Sequence, residues 1–174
     1  MNPITDRKIR IAVIGCGRIA KNHFGAIEQH AEALELCAVC DTDAERLETH
    51  AQEYQVPGYR RLQDLLEKEK PDAVVLCTPS GLHPEQAIIA AEHGVHVITE
   101  KPMATRWQDG VQMVKACDEA GVHLLVVKQN RRNATLQLLK RAVTEKRFGK
   151  IHLVHMSVFW TRPQAYYDQD KWRG

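Results

Sequence analysis

The stretch Ile9-Arg10-Ile11-Ala12-Val13-Ile14-Gly15-Cys16-Gly17-Arg18-Ile19-Ala20 decides how the chain is read. Its first six residues form a short apolar run broken once by Arg10, which predicts a buried strand. A G-x-G-x-x-A turn follows at once and opens onto a helical pattern. Ala20, Phe24, Ile27 and Ala31 draw one apolar stripe through a helix expected from about Arg18 to Glu32. Strand, glycine turn and helix in that order make the first unit of a parallel α/β fold.

The same alternation continues outward. Strands are expected at Leu34 to Cys40, Ala73 to Cys77, Val95 to Thr99 and His123 to Lys128. Helices are expected at Asp43 to Tyr54, Pro84 to His93, Thr105 to Ala120 and Ala134 to Lys146, the last two closed by Gly121 and Gly149. Near-continuous Val/Ile/Leu strands separated by helices imply a sheet covered on both faces. The expected class is therefore α/β, a doubly wound parallel sheet. Ile151 to Trp160 then reads as one further long strand with no helix after it.

Composition narrows the function classes. With 24 Lys plus Arg against 22 Asp plus Glu, the formal charge of +2 speaks against a polyanion binder, so no nucleic-acid partner is expected. Lys140-Arg141 and Lys146-Arg147 read as the wet face of an amphipathic helix. No apolar stretch approaches the roughly 20 residues that cross a bilayer, and no signal peptide precedes Ile11, so no membrane partner is expected. Five scattered cysteines are an odd number, which argues against a disulfide framework and for a cytoplasmic location. Cys37-x-x-Cys40 has metal spacing, but residues three apart on a regular strand face opposite sides, and no metal site is expected.

The chemistry gathers at the strand ends. Gly15 and Gly17 permit the tight turn and the close approach of backbone to a diphosphate, which then rests on helix N-terminal amides. Asp41 closes the second strand at the distance expected of a carboxylate that binds an adenosine ribose. A helix N-cap is its competing role. Thr42 and Asp43 beside it disfavour a 2′-phosphate, although Arg46 is close, so the expected cofactor is NAD. Thr78-Pro79-Ser80-Gly81-Leu82-His83-Pro84, Glu100-Lys101-Pro102 and Lys128-Gln129-Asn130-Arg131-Arg132 follow later strands and would line the same crevice. Lys101 is the candidate for acid/base chemistry, with a surface lysine paired to Glu100 as its competing role.

Three of these motifs, the G-x-G-x-x-A turn, Thr78 to His83 and Glu100-Lys101-Pro102, resemble those of the glucose-fructose oxidoreductase / inositol dehydrogenase / MocA (Gfo/Idh/MocA) family. The stretches Lys101 to Trp107 and Val127 to Gln137 are more narrowly similar to the bacterial sugar-nucleotide 3-dehydrogenases within it. The resemblance implies a Rossmann domain binding NAD and the oxidation of a C3 hydroxyl on a UDP-sugar, UDP-N-acetyl-D-glucosaminuronate, during surface-polysaccharide synthesis. The alternatives are a non-catalytic NAD-binding module and a family dehydrogenase acting on inositol or a free sugar. It implies that Gly15, Gly17, Arg18 and Ile19 contact the pyrophosphate and Asp41 the ribose. Thr78, Ser80, His83, Glu100, Lys101, Gln129 and the pair Trp172-Arg173 would complete the cofactor site. Lys101 would be catalytic, binding the sugar hydroxyl, with Asn130 and Arg131 reaching the charged end of the substrate.

The 174 residues are long for one such domain and short for two. Residues 1–150 are expected to form the dinucleotide-binding Rossmann domain, and 151–174 the first strand of a truncated second α/β domain. In the family that second domain supplies a catalytic His, most of the substrate pocket and the homo-oligomer interface. His152 and His155 read as ordinary strand residues, so the 174-residue chain alone is expected to bind NAD without turnover.

Overall fold

A computed structural model describes residues 4–168. Six parallel strands form one sheet in the order β3-β2-β1-β4-β5-β6. They are β1 (Ile9–Ile14), β2 (Leu34–Cys40), β3 (Gly58–Tyr59), β4 (Ala73–Leu76), β5 (His96–Thr99) and β6 (Leu124–Val126). The helices between them are α1 (Ala20–Gln29), α2 (Ala44–Tyr54), α3 (Leu62–Glu69), α4 (His83–Glu92) and α5 (Trp107–Glu119). The chain divides into two compact units, one up to Val127 and one from Lys128.

Both faces of the sheet are buried along β4 and the C-terminal halves of β1 and β2, which therefore lack a polar alternation, whereas Leu125 of β6 is exposed. Ile11 and Val13 of β1 point into a core made with Phe24, Ile27 and Leu47 of α1 and α2. Ala12 and Ile14 point the other way, into a core with Leu65 of α3, Ala87 and Ala90 of α4, and Met113 of α5. The order of strands reverses between β1 and β4, and the crevice that opens there faces the carboxyl ends of the strands.

Two features differ from the sequence reading in the sheet. The first is the segment from Val56 to Lys70, to which the sequence reading assigned no element; it holds β3 and α3. A two-residue strand carries no periodicity, but Leu62, Leu65 and Leu66 are spaced as one buried helical face. The second is a register shift between Ile11 and Ala12 that leaves Cys37 without a partner in β1. That bulge turns Cys37 onto the same core layer as Cys40, so the two do not face opposite sides. Burial pushes the two thiols up to about 11 and about 12. Among the described residues no group of three or more His, Cys, Asp or Glu is arranged around a metal position.

The opposite end of the sheet is clamped by charge. Asp72 accepts from both terminal nitrogens of Arg7, at 2.6 and 2.7 Å, and from the Arg10 N–H at 2.8 Å. The hydrogen bonds from Arg7, before that of the Arg10 backbone, hold its carboxyl below the usual carboxylate range, against the opposing effect of burial. A carboxyl lowered on folding stabilises the native state above its unfolded value, near ~3.9, and that stability fades as pH falls through the folded value. In Asp72→Ala the Arg10 N–H loses its acceptor, so neutral-pH stability should drop by about 1–3 kcal/mol. The acid limb of the stability curve should flatten as well. Urea unfolding across acidic pH checks both, and an acid limb unchanged in Asp72→Ala would remove Asp72 from this role.

The second unit holds α6 (Ala134–Thr144), capped by the Asn133 side chain, and a short α7 (Gln164–Asp168). The strand expected over 151–160 does not form. Leu153, Phe159 and Trp160 are exposed, and among the described residues nothing pairs with this segment. A strand exists only as a member of a ladder, so an apolar, β-branched sequence is insufficient without a partner.

Candidate active site

The Gly-rich loop is shaped by its neighbours before any ligand is considered. Gly15 sits at φ +90°, and a Cβ there would lie 2.9 Å from the carbonyl carbon of Cys77 and from the nitrogen of Thr78. The loop therefore lies directly against the backbone that leaves β4, and only glycine fits. Gly15 N–H donates to the Cys40 carbonyl at 2.7 Å. Cys16 N–H donates to Asp41 Oδ2 at 2.7 Å, so the carboxylate ending β2 fixes the turn ending β1.

The next three amides have no such partner. Among the described residues, the N–H groups of Gly17, Arg18 and Ile19 meet no protein acceptor. Helix α1 begins behind them with no side-chain cap and no acidic residue in its first turn. A Cβ built on Gly17 would meet nothing within 4 Å, so the turn is open to solvent on that side. Unpaired amides, a positive helix end and free volume fit a diphosphate.

The competing role for Asp41 falls to its neighbour. Asp43 is the N-cap of α2, its Oδ1 accepting from Arg46 N–H at 3.0 Å. Asp41 Oδ1 accepts from Asp43 N–H at 2.8 Å. Each Asp41 oxygen thus takes one backbone donor and keeps a lone pair for a hydroxyl. Its charge beside that position opposes a second phosphate.

The later loops are tied to one another by His83. This ring is 1% exposed, with Nε2 2.9 Å from the Thr78 carbonyl and Nδ1 3.0 Å from the Pro102 carbonyl. A neutral ring donates to one of the two: the bond to Thr78 closes the loop after β4 on itself, and the bond to Pro102 links that loop to the one after β5. Thr78 also donates through its hydroxyl to Gln86 Oε1. Ser80 lies half-buried in a 3-10 turn over Ser80–Leu82. Lys101 is exposed and precedes a cis peptide to Pro102.

The sequence reading missed one partner. His23, on α1, places Nε2 3.0 Å from Oε1 of Glu100. Glu100 is only 7% exposed, and its Oε2 accepts from the Lys101 N–H at 3.2 Å. The first unit therefore brings together Gly15, Gly17, Asp41, Thr78, His83, Glu100 and the backbone of Lys101. Gln129, Asn130 and Arg131 belong to the second unit, in a 3-10 turn over Gln129–Arg132, and are exposed. Trp172 and Arg173 lie outside the described residues.

No helix among the described residues is long and apolar enough to cross a membrane. All five cysteines are free and buried, and burial, with the charge of Asp41, pushes Cys16 up to about 12. A thiol so protonated is no nucleophile at neutral pH. The polar groups this edge presents are the amides of Gly17 to Ile19, the Asp41 and Glu100 carboxyls and the exposed Lys101.

The chain is similar to known proteins in sequence and fold. The WlbA dehydrogenase of Chromobacterium violaceum, crystallised with NADH and UDP-GlcNAcA, is 61% identical over all of this chain and 50% of its own, with TM-score 0.98. WlbA of Bordetella pertussis, in complex with the same two molecules, is 59% identical over 97% of this chain and 51% of its own, with TM-score 0.95. D-apiose dehydrogenase of Paraburkholderia graminis is 33% identical over 91% of this chain and 40% of its own length. The chain thus spans about half or less of each relative. Residues 9–128 match the GFO_IDH_MocA profile, described as an oxidoreductase family with an NAD-binding Rossmann fold. With the greater part of its length matched by that profile, the chain belongs to the Gfo/Idh/MocA oxidoreductase family.

Proposed function

We propose that the protein carrying this chain is an NAD-dependent dehydrogenase that oxidises the C3 hydroxyl of UDP-N-acetylglucosaminuronic acid for surface-polysaccharide synthesis. The observation that carries the reading is the 61% identity, across the whole chain, to a dehydrogenase holding NADH and that sugar nucleotide. NAD, when bound, supplies the acceptor for the hydride removed from the sugar carbon.

The chain's own residues do the rest. Gly17, Arg18 and Ile19 present their free amides to the pyrophosphate, and Asp41 accepts from the adenosine ribose and turns away a 2′-phosphate. Thr78, Ser80, His83, Glu100, Gln129, Trp172 and Arg173 shape the nicotinamide half of the site. Lys101 holds the C3 hydroxyl and takes its proton as the carbon is oxidised. Asn130 and Arg131 meet the carboxylate or phosphates of the substrate, a task suited to the fork geometry of arginine. Residues 1–150 serve as the cofactor domain and 151–174 open a substrate domain. A reducing cytoplasm suits the five unpaired thiols.

Calorimetric titration of NADH tests the cofactor half. Wild type should bind one equivalent, and Gly17→Val should lose at least about 10²-fold in affinity because its side chain fills the space before the amides. The variant should unfold at the same temperature as wild type, since nothing protein-built occupies that space. Undiminished NADH binding by Gly17→Val would overturn the placement. Appearance of NADH absorbance with NAD and UDP-N-acetylglucosaminuronic acid, but not with myo-inositol, tests the substrate half.

A further inference from the structure

We propose that His23 is a positioning residue for the reaction: through Glu100 it holds the Glu-Lys-Pro turn, and with it Lys101, against the helix that follows the Gly-rich loop. The proposal rests on the dehydrogenase reading above. Nothing in the sequence links His23 to Lys101, and the connection exists only in three dimensions.

Glu100 is a carboxylate with little water around it, and a buried carboxylate is held where its donors are. Among the described residues two donors reach its side chain: His23 at Oε1 and the Lys101 N–H at Oε2. Its backbone is fixed independently, the Glu100 N–H donating to the Leu76 carbonyl at 3.0 Å. What His23 adds is the direction of the side chain. With Oε1 claimed by the imidazole, Oε2 is left facing the amide of Lys101. Removing the imidazole frees the carboxylate to swing toward water, and the amide that fixes the start of the Lys101 turn loses its acceptor.

The donor sits on a firm base. The His23 side chain is 15% exposed, and the adjacent Phe24 is fully buried and stacked on Tyr54 at 4.4 Å between centroids. Helix α1 is thus anchored by Ala20, Phe24 and Ile27 whether or not His23 is present. The same helix starts at the free amides of Gly17 to Ile19. One rigid element therefore carries the diphosphate cradle at its start and braces the acid/base loop one turn later. A shift of either would be felt by the other, as a catalytic group requires placement to about 1 Å.

The test uses the protein that carries this chain, with His23→Leu to remove the donor and His23→Gln to restore one. In His23→Leu, kcat should fall by about 10²-fold while NADH affinity stays within about threefold, the split expected of a lost orientation. Hydrogen exchange at the Lys101 amide should quicken by about tenfold as its acceptor is lost. His23→Gln should return both readings toward wild type. Should His23→Leu not fold, His23→Asn, too short to reach Oε1, replaces it. An unmoved Lys101 amide, or an unmoved kcat in an active enzyme, overturns the proposal. If wild type shows no turnover with NAD and UDP-N-acetylglucosaminuronic acid, the functional reading fails, and the exchange rates alone judge whether His23 braces Lys101.

Discussion

Replacing Lys101 by Ala is expected to cut turnover of UDP-N-acetylglucosaminuronic acid by about 10² to 10⁴-fold, the range removed with a general acid/base. NADH affinity and unfolding temperature should scarcely change. Lys101 is exposed, so its side chain contributes little packing, and alanine keeps the N–H that donates to Glu100. The loss would therefore fall on kcat rather than on cofactor binding. Lys101→Arg should not restore activity, because a guanidinium cannot accept the proton of the hydroxyl. Steady-state kinetics beside NADH calorimetry separates these effects. Near-normal turnover in Lys101→Ala would move the acid/base role elsewhere.

The second large effect is on folding. Gly15→Ala forces an L side chain to φ +90° and drives a methyl to 2.9 Å from two backbone atoms at the end of β4. Left-handed backbone costs an L residue about 1–2 kcal/mol. Overpacking against atoms that cannot rotate aside adds about 1–3 kcal/mol. Together they remove a large part of the roughly 5–15 kcal/mol that holds a domain folded. The unfolding midpoint should fall by roughly 5–15 °C on the scale of a chain this long. Gly17→Val, two residues on, should leave that midpoint in place. The contrast separates a glycine required by the protein's own backbone from one required by the space before it. Equal midpoints for Gly15→Ala and wild type would show that β4 can withdraw from the loop.

What was legible in the sequence was local. Residues Ile9 to Ala20 announce strand, turn and helix because each signal lies within a few residues of the next. Asp41 stands out by its distance from the turn, and the cap at Asp43, which takes the competing role, is a backbone detail no spacing displays. The pairing of His23 with Glu100 was invisible because 77 residues separate them. The bulge at Cys37 was equally hidden, since register belongs to two strands and not to one. The segment 151–160 failed in the opposite sense: its pattern was clear, but a pattern cannot supply a ladder partner.

The central place of β1 has a consequence for how the molecule is made. Its first neighbour, β2, follows after a single helix, but its other edge is closed only by β4, to which Ile11 to Ile14 pair. A ribosome delivers β2, α2, β3 and α3 before that partner emerges. Throughout that interval the innermost strand of the finished protein has one open hydrophobic edge, the kind that pairs with strangers. The strand that ends deepest in the core spends the longest part of synthesis most in need of protection.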